Sequence, residues 1–206
     1  MGTRERRRRE KQQRRQHILD VARRLFWERG FATTTMPQVA RAAELAPGTL
    51  YLYFSSKNAI YVELLTEGYD ELLRRLRGAV GGDMPPREHA EALADAFLEF
   101  ARDCPEYFNI MFYLFQPEGR RARKEALEDE QVERLQIRED ACRAIAAQAL
   151  ERLDITSPGN TRARLNALWS MFAGVVFFFR DRGADSFVAV AREAKRILLN
   201  PFLGRS

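Results

Sequence analysis

Two cysteines and two histidines in 206 residues leave little material for covalent staples, metal sites or imidazole chemistry. Cys104 and Cys142 lie far apart with no paired CxxC spacing, which excludes a disulfide framework and a cysteine zinc site and fits a reducing compartment. No glycine-rich phosphate loop, H-E-x-x-H pair or nucleophile elbow occurs, and His17 and His89 stand in polar surroundings, so both are read as surface residues and no enzyme is expected. Neither a metal nor a cofactor is implied. Long apolar runs are missing too. The longest, Leu165 to Phe179, is interrupted by Asn166 and Ser170 and ends at Arg180, short of the ~20 residues that a bilayer requires. Gln16-His17-Ile18-Leu19-Asp20, which follows the arginine-rich start, supplies no apolar export core. A cytoplasmic protein is expected, with no membrane partner.

What is present describes a globular chain, 46% hydrophobic and 31% charged, of one or two domains at roughly 150 residues each. Its charge is unevenly placed. Residues 1 to 57 hold thirteen Lys or Arg against five Asp or Glu, a surplus of eight in a chain whose total is +5, so residues 58 to 206 carry −3. One end is suited to a polyanion and the rest to another task. The arginines from Arg6 to Arg9 read either as a solvated terminus or as an arm that lies along phosphates or enters a minor groove.

Apolar residues recur at helical spacing throughout, and sustained alternation is absent, so the chain reads as all-α. Ile18, Val21, Ala22, Leu25 and Phe26 form one stripe on a helix that ends near Gly30. Thr35 and Gln38 fit a capping box for a short helix from about Met36 to Ala43, with Pro37 in its first turn. Pro47 opens the next helix, and Ser55-Ser56 precede a long one carrying Ile60, Leu64, Leu65, Tyr69, Leu72, Leu73 and Leu76. Two short helices around a tight turn, braced by longer ones, describe a helix-turn-helix unit. Leu50 and Phe54 share a face that can anchor the second short helix, leaving Thr49, Leu52 and Tyr53 near the opposite side. Gly48 allows close backbone approach at the helix start. Hydroxyls, aromatic edges and a neighbouring Lys57 suit a major groove and its phosphates. The alternative is that Tyr51 and Tyr53 merely cap a small core.

Residues 18 to 65 carry an Ala-x-x-Leu-Phe-x-x-x-Gly-Phe segment at 22 to 31, threonines before the second helix, Val39-Ala40, and G-T-L-Y-x-Y-F-x-S-K at 48 to 57. This stretch resembles the DNA-binding region of the tetracycline-repressor (TetR) family of transcriptional regulators. The resemblance implies a three-helix N-terminal DNA-binding domain, a larger helical ligand-binding and dimerisation domain, and about nine helices in all. It implies that Pro47, Gly48, Thr49, Tyr51, Leu52, Tyr53 and Lys57 meet operator DNA, with Thr34 or Thr35 at the backbone-contacting start of the second helix. Glu44 and Ala46 depart from the glycine and serine frequent there, and Asn58 from a frequent acid. A non-glycine residue at the position of Glu44 is expected to bear roughly 1 kcal/mol of strain unless the turn differs.

Gly78 to Pro86, with three glycines and two prolines, marks a linker, giving an arm and DNA-binding domain over 1–57, a connecting helix over 58–80 and an effector and dimerisation domain over 81–206. Helices are expected at about 85–103, 105–117, 120–153, 161–182 and 185–199. The fourth is apolar nearly all round, so Leu165, Leu168, Phe172, Val176 and Phe179, joined by Val190, Ala194 and Ile197 of the last helix, are candidates for a homodimer interface or else an ordinary core. Phe97, Phe100, Tyr107, Phe108, Met111, Phe112, Phe115, Trp169 and Phe172 are candidates for a pocket holding a small lipophilic effector, or again for plain core. The resemblance implies a repressor that binds a palindromic operator as a dimer and leaves it when ligand binds. A helical adaptor without operator specificity and an all-helical enzyme remain open alternatives.

Overall fold

The computed structural model describes residues 3–81, 83–113, 129–153 and 161–199. Among the described residues there are nine helices and no strand: α1 (Thr3–Arg29), α2 (Met36–Ala42), α3 (Pro47–Tyr51), α4 (Lys57–Ala79), α5 (Pro86–Asp103), α6 (Pro105–Tyr113), α7 (Asp129–Arg152), α8 (Thr161–Phe179) and α9 (Ala184–Leu199). The all-α expectation holds. The ends predicted for α6 (114–117) and the start predicted for α7 (120–128) lie outside the described residues. No described helix is long and apolar enough to cross a membrane.

Packing divides the chain into two compact units, Met1–Gly68 with Glu106–Leu135, and Tyr69–Pro105 with Gln136–Ser206. The connecting helix expected over 58–80 exists as α4, and the division between units falls inside it.

In the first unit the stripe predicted on α1 belongs to the core: Ile18, Ala22, Leu25 and Phe26 are buried, as are Val39, Ala40, Leu50, Phe54, Ile60 and Leu64. α6 joins this unit through polar ties. The Tyr61 hydroxyl donates to the Ile110 carbonyl at 2.5 Å, the Tyr107 hydroxyl donates to Glu67 at 2.8 Å, and Arg23 donates to the Tyr107 oxygen at 2.6 Å. Burial, then the carboxylate of Glu67, pushes the Tyr107 phenol well above its usual pKa, so it stays a neutral donor. Gly68 permits this approach, because a Cβ there would stand 3.3 Å from both Met111 Sδ and Tyr107 Cβ.

In the second unit α8 packs on α9 and α5, burying Phe97, Phe100, Phe172, Val176, Phe187 and Ala194. Lys195 donates to Asp95 at 2.5 Å, fastening α9 to α5. His89 corrects its sequence-based reading as a surface residue. It is 5% exposed, with Nδ1 2.7 Å from an Arg152 guanidinium nitrogen, because the spacing Ala90, Leu93, Ala94, Phe97 carries position 89 onto the buried face of α5. Burial, and then Arg152, holds its pKa below the usual imidazole value. His17 is exposed, as expected. Cys104 and Cys142 are free thiols, and burial pushes that of Cys142 up to about 12.

Glu71 accepts hydrogen bonds from Arg74 and Arg75, which pull its carboxyl down to about 2 despite partial burial. A carboxyl depressed in the folded state contributes stability that is complete above its unfolded pKa of 4.5 and is lost as pH falls through about 2. Denaturation midpoints between pH 5 and pH 2 should therefore fall more steeply for the parent chain than for Glu71→Gln. Parallel curves would contradict the pairing.

Candidate nucleic-acid interface

The C-terminal turn of α1 leaves carbonyls that need donors. Gly30 ends the helix at φ 85°, its N–H donating to Phe26 O at 3.0 Å, as its sequence position predicts. Thr33 Oγ1 donates to Arg29 O, while Thr34 Oγ1 donates to Gly30 O at 2.8 Å. Thr34 is wholly buried, so its hydroxyl closes α1 and is not displayed. From the start of α4, Lys57 Nζ donates to Phe31 O at 2.7 Å, Thr34 O at 2.8 Å and Ala32 O at 3.3 Å. It also lies 4.3 Å from the centre of the Phe31 ring. Desolvation there lowers its pKa. The lysine predicted to meet phosphate thus uses its three donors on the loop between α1 and α2.

That loop delivers Thr35, which is exposed and caps α2. Its Oγ1 accepts from Gln38 N at 3.4 Å, and Gln38 Oε1 accepts from Thr35 N at 2.9 Å, completing the expected capping box. The turn to α3 passes through Glu44 at φ 56°, so the strain foreseen at this position is real and the turn keeps its left-handed residue without glycine. Ala46 at the start of α3 offers no side-chain cap, and Pro47 follows with no N–H to satisfy.

The helix that Pro47 opens is regular only to Tyr51. Leu52 and Tyr53 continue as a turn, with Tyr53 N donating to Leu50 O at 2.9 Å and Phe54 N to the same oxygen at 3.1 Å. Leu50 and Phe54 are buried as anchors, whereas Tyr51 is 52% and Leu52 78% exposed. Pro47 and Gly48 are exposed; Thr49 and Tyr53 are half-buried. The reading of Tyr51 as a core cap does not fit that exposure. Arg15 of α1 covers Phe54, its guanidinium 4.7 Å from the ring centre, and pairs with Glu63 at 2.9 Å. Neither this brace nor the Lys57 clamp is signalled in the sequence, since each joins residues more than twenty positions apart.

The described geometry is a short helix and turn anchored on one side, with aromatic and aliphatic side chains outward in the basic part of the chain. The family description "Bacterial regulatory proteins, tetR family" matches residues 18–64, and "Tetracyclin repressor-like, C-terminal domain" matches residues 90–198, more than half of the chain. The chain belongs to the TetR family. Its members are transcriptional regulators and not enzymes. The HTH-type transcriptional repressor KstR2 of Rhodococcus jostii is 37% identical over 86 residues, covering 42% of each protein. The HTH-type transcriptional activator FasR of Mycolicibacterium smegmatis is 28% identical over 109 residues, covering 52% of this chain and 50% of FasR. This chain therefore matches about half the length, or less, of these curated relatives. A TetR-family regulator from Bordetella parapertussis 12822 superposes with a TM-score of 0.74 at 24% identity, covering 93% of this chain and 97% of that one. At that identity the likeness establishes the fold.

The remaining candidates of this TetR-family chain fall in separate places. Phe97 meets Trp169 at 5.0 Å and Phe172 at 6.3 Å between ring centres in the second unit, where Phe100 is fully buried. Tyr107, Phe108, Met111 and Phe112 belong to the first unit, and Phe115 lies outside the described residues. Of the interface candidates, Phe172, Val176 and Ala194 are buried within the chain, Leu165, Leu168, Phe179 and Val190 are half-buried, and Ile197 is 54% exposed. The exposed aromatic face of α8 is turned away from its buried stripe, onto Phe177 and Phe178 at 56% and 59% exposure.

Two variants test the local account by chemical denaturation. Lys57→Met should cost about 2 kcal/mol, the worth of charge-assisted bonds to part-buried carbonyls. Glu44→Gly with Ala46→Ser should stabilise by about 1 to 2 kcal/mol, from relief of the left-handed residue and a new cap. No change in either direction would contradict it.

Proposed function

We propose that this regulator is a repressor that binds a palindromic operator as a homodimer and is released by a small lipophilic effector. The observation that carries the reading is the outward face of α3 and its following turn. Tyr51 and Leu52 stand open to solvent there while Leu50 and Phe54 hold the backbone from behind. In a major groove, Leu52 suits a thymine methyl, the Tyr51 and Tyr53 hydroxyls suit phosphate or base edges, and Pro47, Gly48 and Thr49 line the entry. Thr35 at the start of α2 suits the backbone. Thr34 and Lys57 act by fixing the loop that presents it.

One five-residue helix reads few base pairs, so specificity calls for a second copy one or more DNA turns away. Phe177, Phe178, Val188 and Ile197 are large, exposed and apolar on α8 and α9, and they support a paired assembly through that surface. The aromatic cluster of Phe97, Phe100, Trp169 and Phe172 suits a lipophilic effector. α4 runs from Lys57, beside the reading head, into the second unit. A ligand favouring a shifted α4 would spoil the spacing of two α3 helices, with a coupling of about 1 to 3 kcal/mol. Repression is the role of the relative KstR2, whereas FasR is an activator.

The test uses the full chain and duplex DNA from upstream of its own coding region, followed by fluorescence anisotropy. Tyr51→Ala with Leu52→Ala should weaken specific binding about 10- to 100-fold, leaving the unfolding temperature and binding to unrelated DNA unchanged. Unaltered specific affinity would overturn the reading.

A further inference from the structure

The arginine-rich start is helical. α1 begins at Thr3, 15 residues before the matched family region opens at residue 18. At about 100° per residue, Arg4, Arg7, Arg8, Lys11, Arg14 and Arg15 fall within an arc of about 120°. Glu5, Arg6, Arg9 and Glu10 fall outside it. Arg4, Arg7, Arg8, Lys11 and Arg14 are all exposed, and among the described residues none takes part in an ion pair. Arg6, on the other side, pairs with Glu10 at 3.3 Å.

This stripe continues the buried face of the same helix. Ile18, Ala22 and Leu25, which enter the core, share its bearing, and Arg15 at the junction lies over Phe54 and against Glu63. The cations therefore overhang the side of α1 on which Phe54, next to the reading turn, is packed. Among the described residues nothing requires them there. Like charges at i, i+4, as in Arg4 with Arg8 and Lys11 with Arg15, oppose helix formation, and cations at a helix N-terminus oppose the helix dipole. A polyanion removes both costs.

We infer that the stripe from Arg4 to Arg14 binds the phosphate backbone of duplex DNA flanking each half-site. This rests on the operator-binding reading above and extends it. A helix ~10 Å across does not enter a minor groove ~6 Å wide, so the minor-groove alternative for the arm is set aside. The stripe is roughly 16 Å long, the rise of about five base pairs. It lengthens the footprint by about half a turn on each side and adds affinity without adding base preference.

Two double variants of equal charge change separate this from general electrostatics. Arg8→Gln with Lys11→Gln alters the stripe, and Arg6→Gln with Arg9→Gln alters the other face. Binding is measured from 50 to 200 mM salt on the operator duplex with and without ten flanking base pairs per side, and circular dichroism confirms the helix content of each variant. The expected result is that the stripe pair lowers the slope of log affinity against log salt by about 2 per protomer on the flanked duplex, but not on the trimmed one. The other pair should change it by less than half as much. Equal slopes for both pairs, or equal losses on trimmed and flanked duplexes, would overturn the inference while leaving operator binding intact. Loss of binding to anionic phospholipid vesicles by the stripe pair, with no change on DNA, would also overturn it. Failure of the parent chain to prefer any operator would instead overturn the proposed function.

Discussion

The carbonyl end of α1 governs the placement of α3. A helix end leaves carbonyls that need donors, and here those of Arg29 and Gly30 are met by the hydroxyls of Thr33 and Thr34. Lys57 then closes the carbonyls of the following loop. Because Lys57 opens α4 while Thr35 caps α2, one cluster of hydrogen bonds fixes three helices at a point. α3 is too short to hold itself in place, and it inherits its position from that point and from the two anchors Leu50 and Phe54.

This arrangement explains how α3 and its flanking turns can depart from good helix chemistry. Its entry turn carries a left-handed Glu44, its first residue lacks a side-chain cap, and Leu52 is left 78% exposed. Each is unfavourable for folding in isolation. A buried anchor pair and a rigid loop offset these costs, which leaves the outward positions free to be chosen for a partner.

Local signals make much of this legible in the sequence. The stripe on α1, the cap of α2 and the glycine end at Gly30 depend on residues within a few positions of each other, so spacing alone reveals them, whereas the strain at Glu44 follows from the family resemblance, which has a glycine there. The positions of Thr34 and Lys57 were not legible, because a threonine next to a helix end and a lysine before a helix read equally well as phosphate ligands. His89 was misread since charged neighbours in sequence point to other faces of α5. On α8, a helix apolar nearly all round gives no phase. Which side faces α5 and which carries Phe177 and Phe178 is decided by packing.

Family membership accounts for the fold and for transcriptional regulation, while the proposed function assigns the choice of operator to the few outward residues of α3. Enrichment of bound duplexes from a random 30-base-pair pool by the full chain tests that claim most directly. The account predicts recovery of two inverted half-sites at one fixed spacing. Recovery of sequences without an inverted repeat, with affinity set only by duplex length and salt, would contradict it.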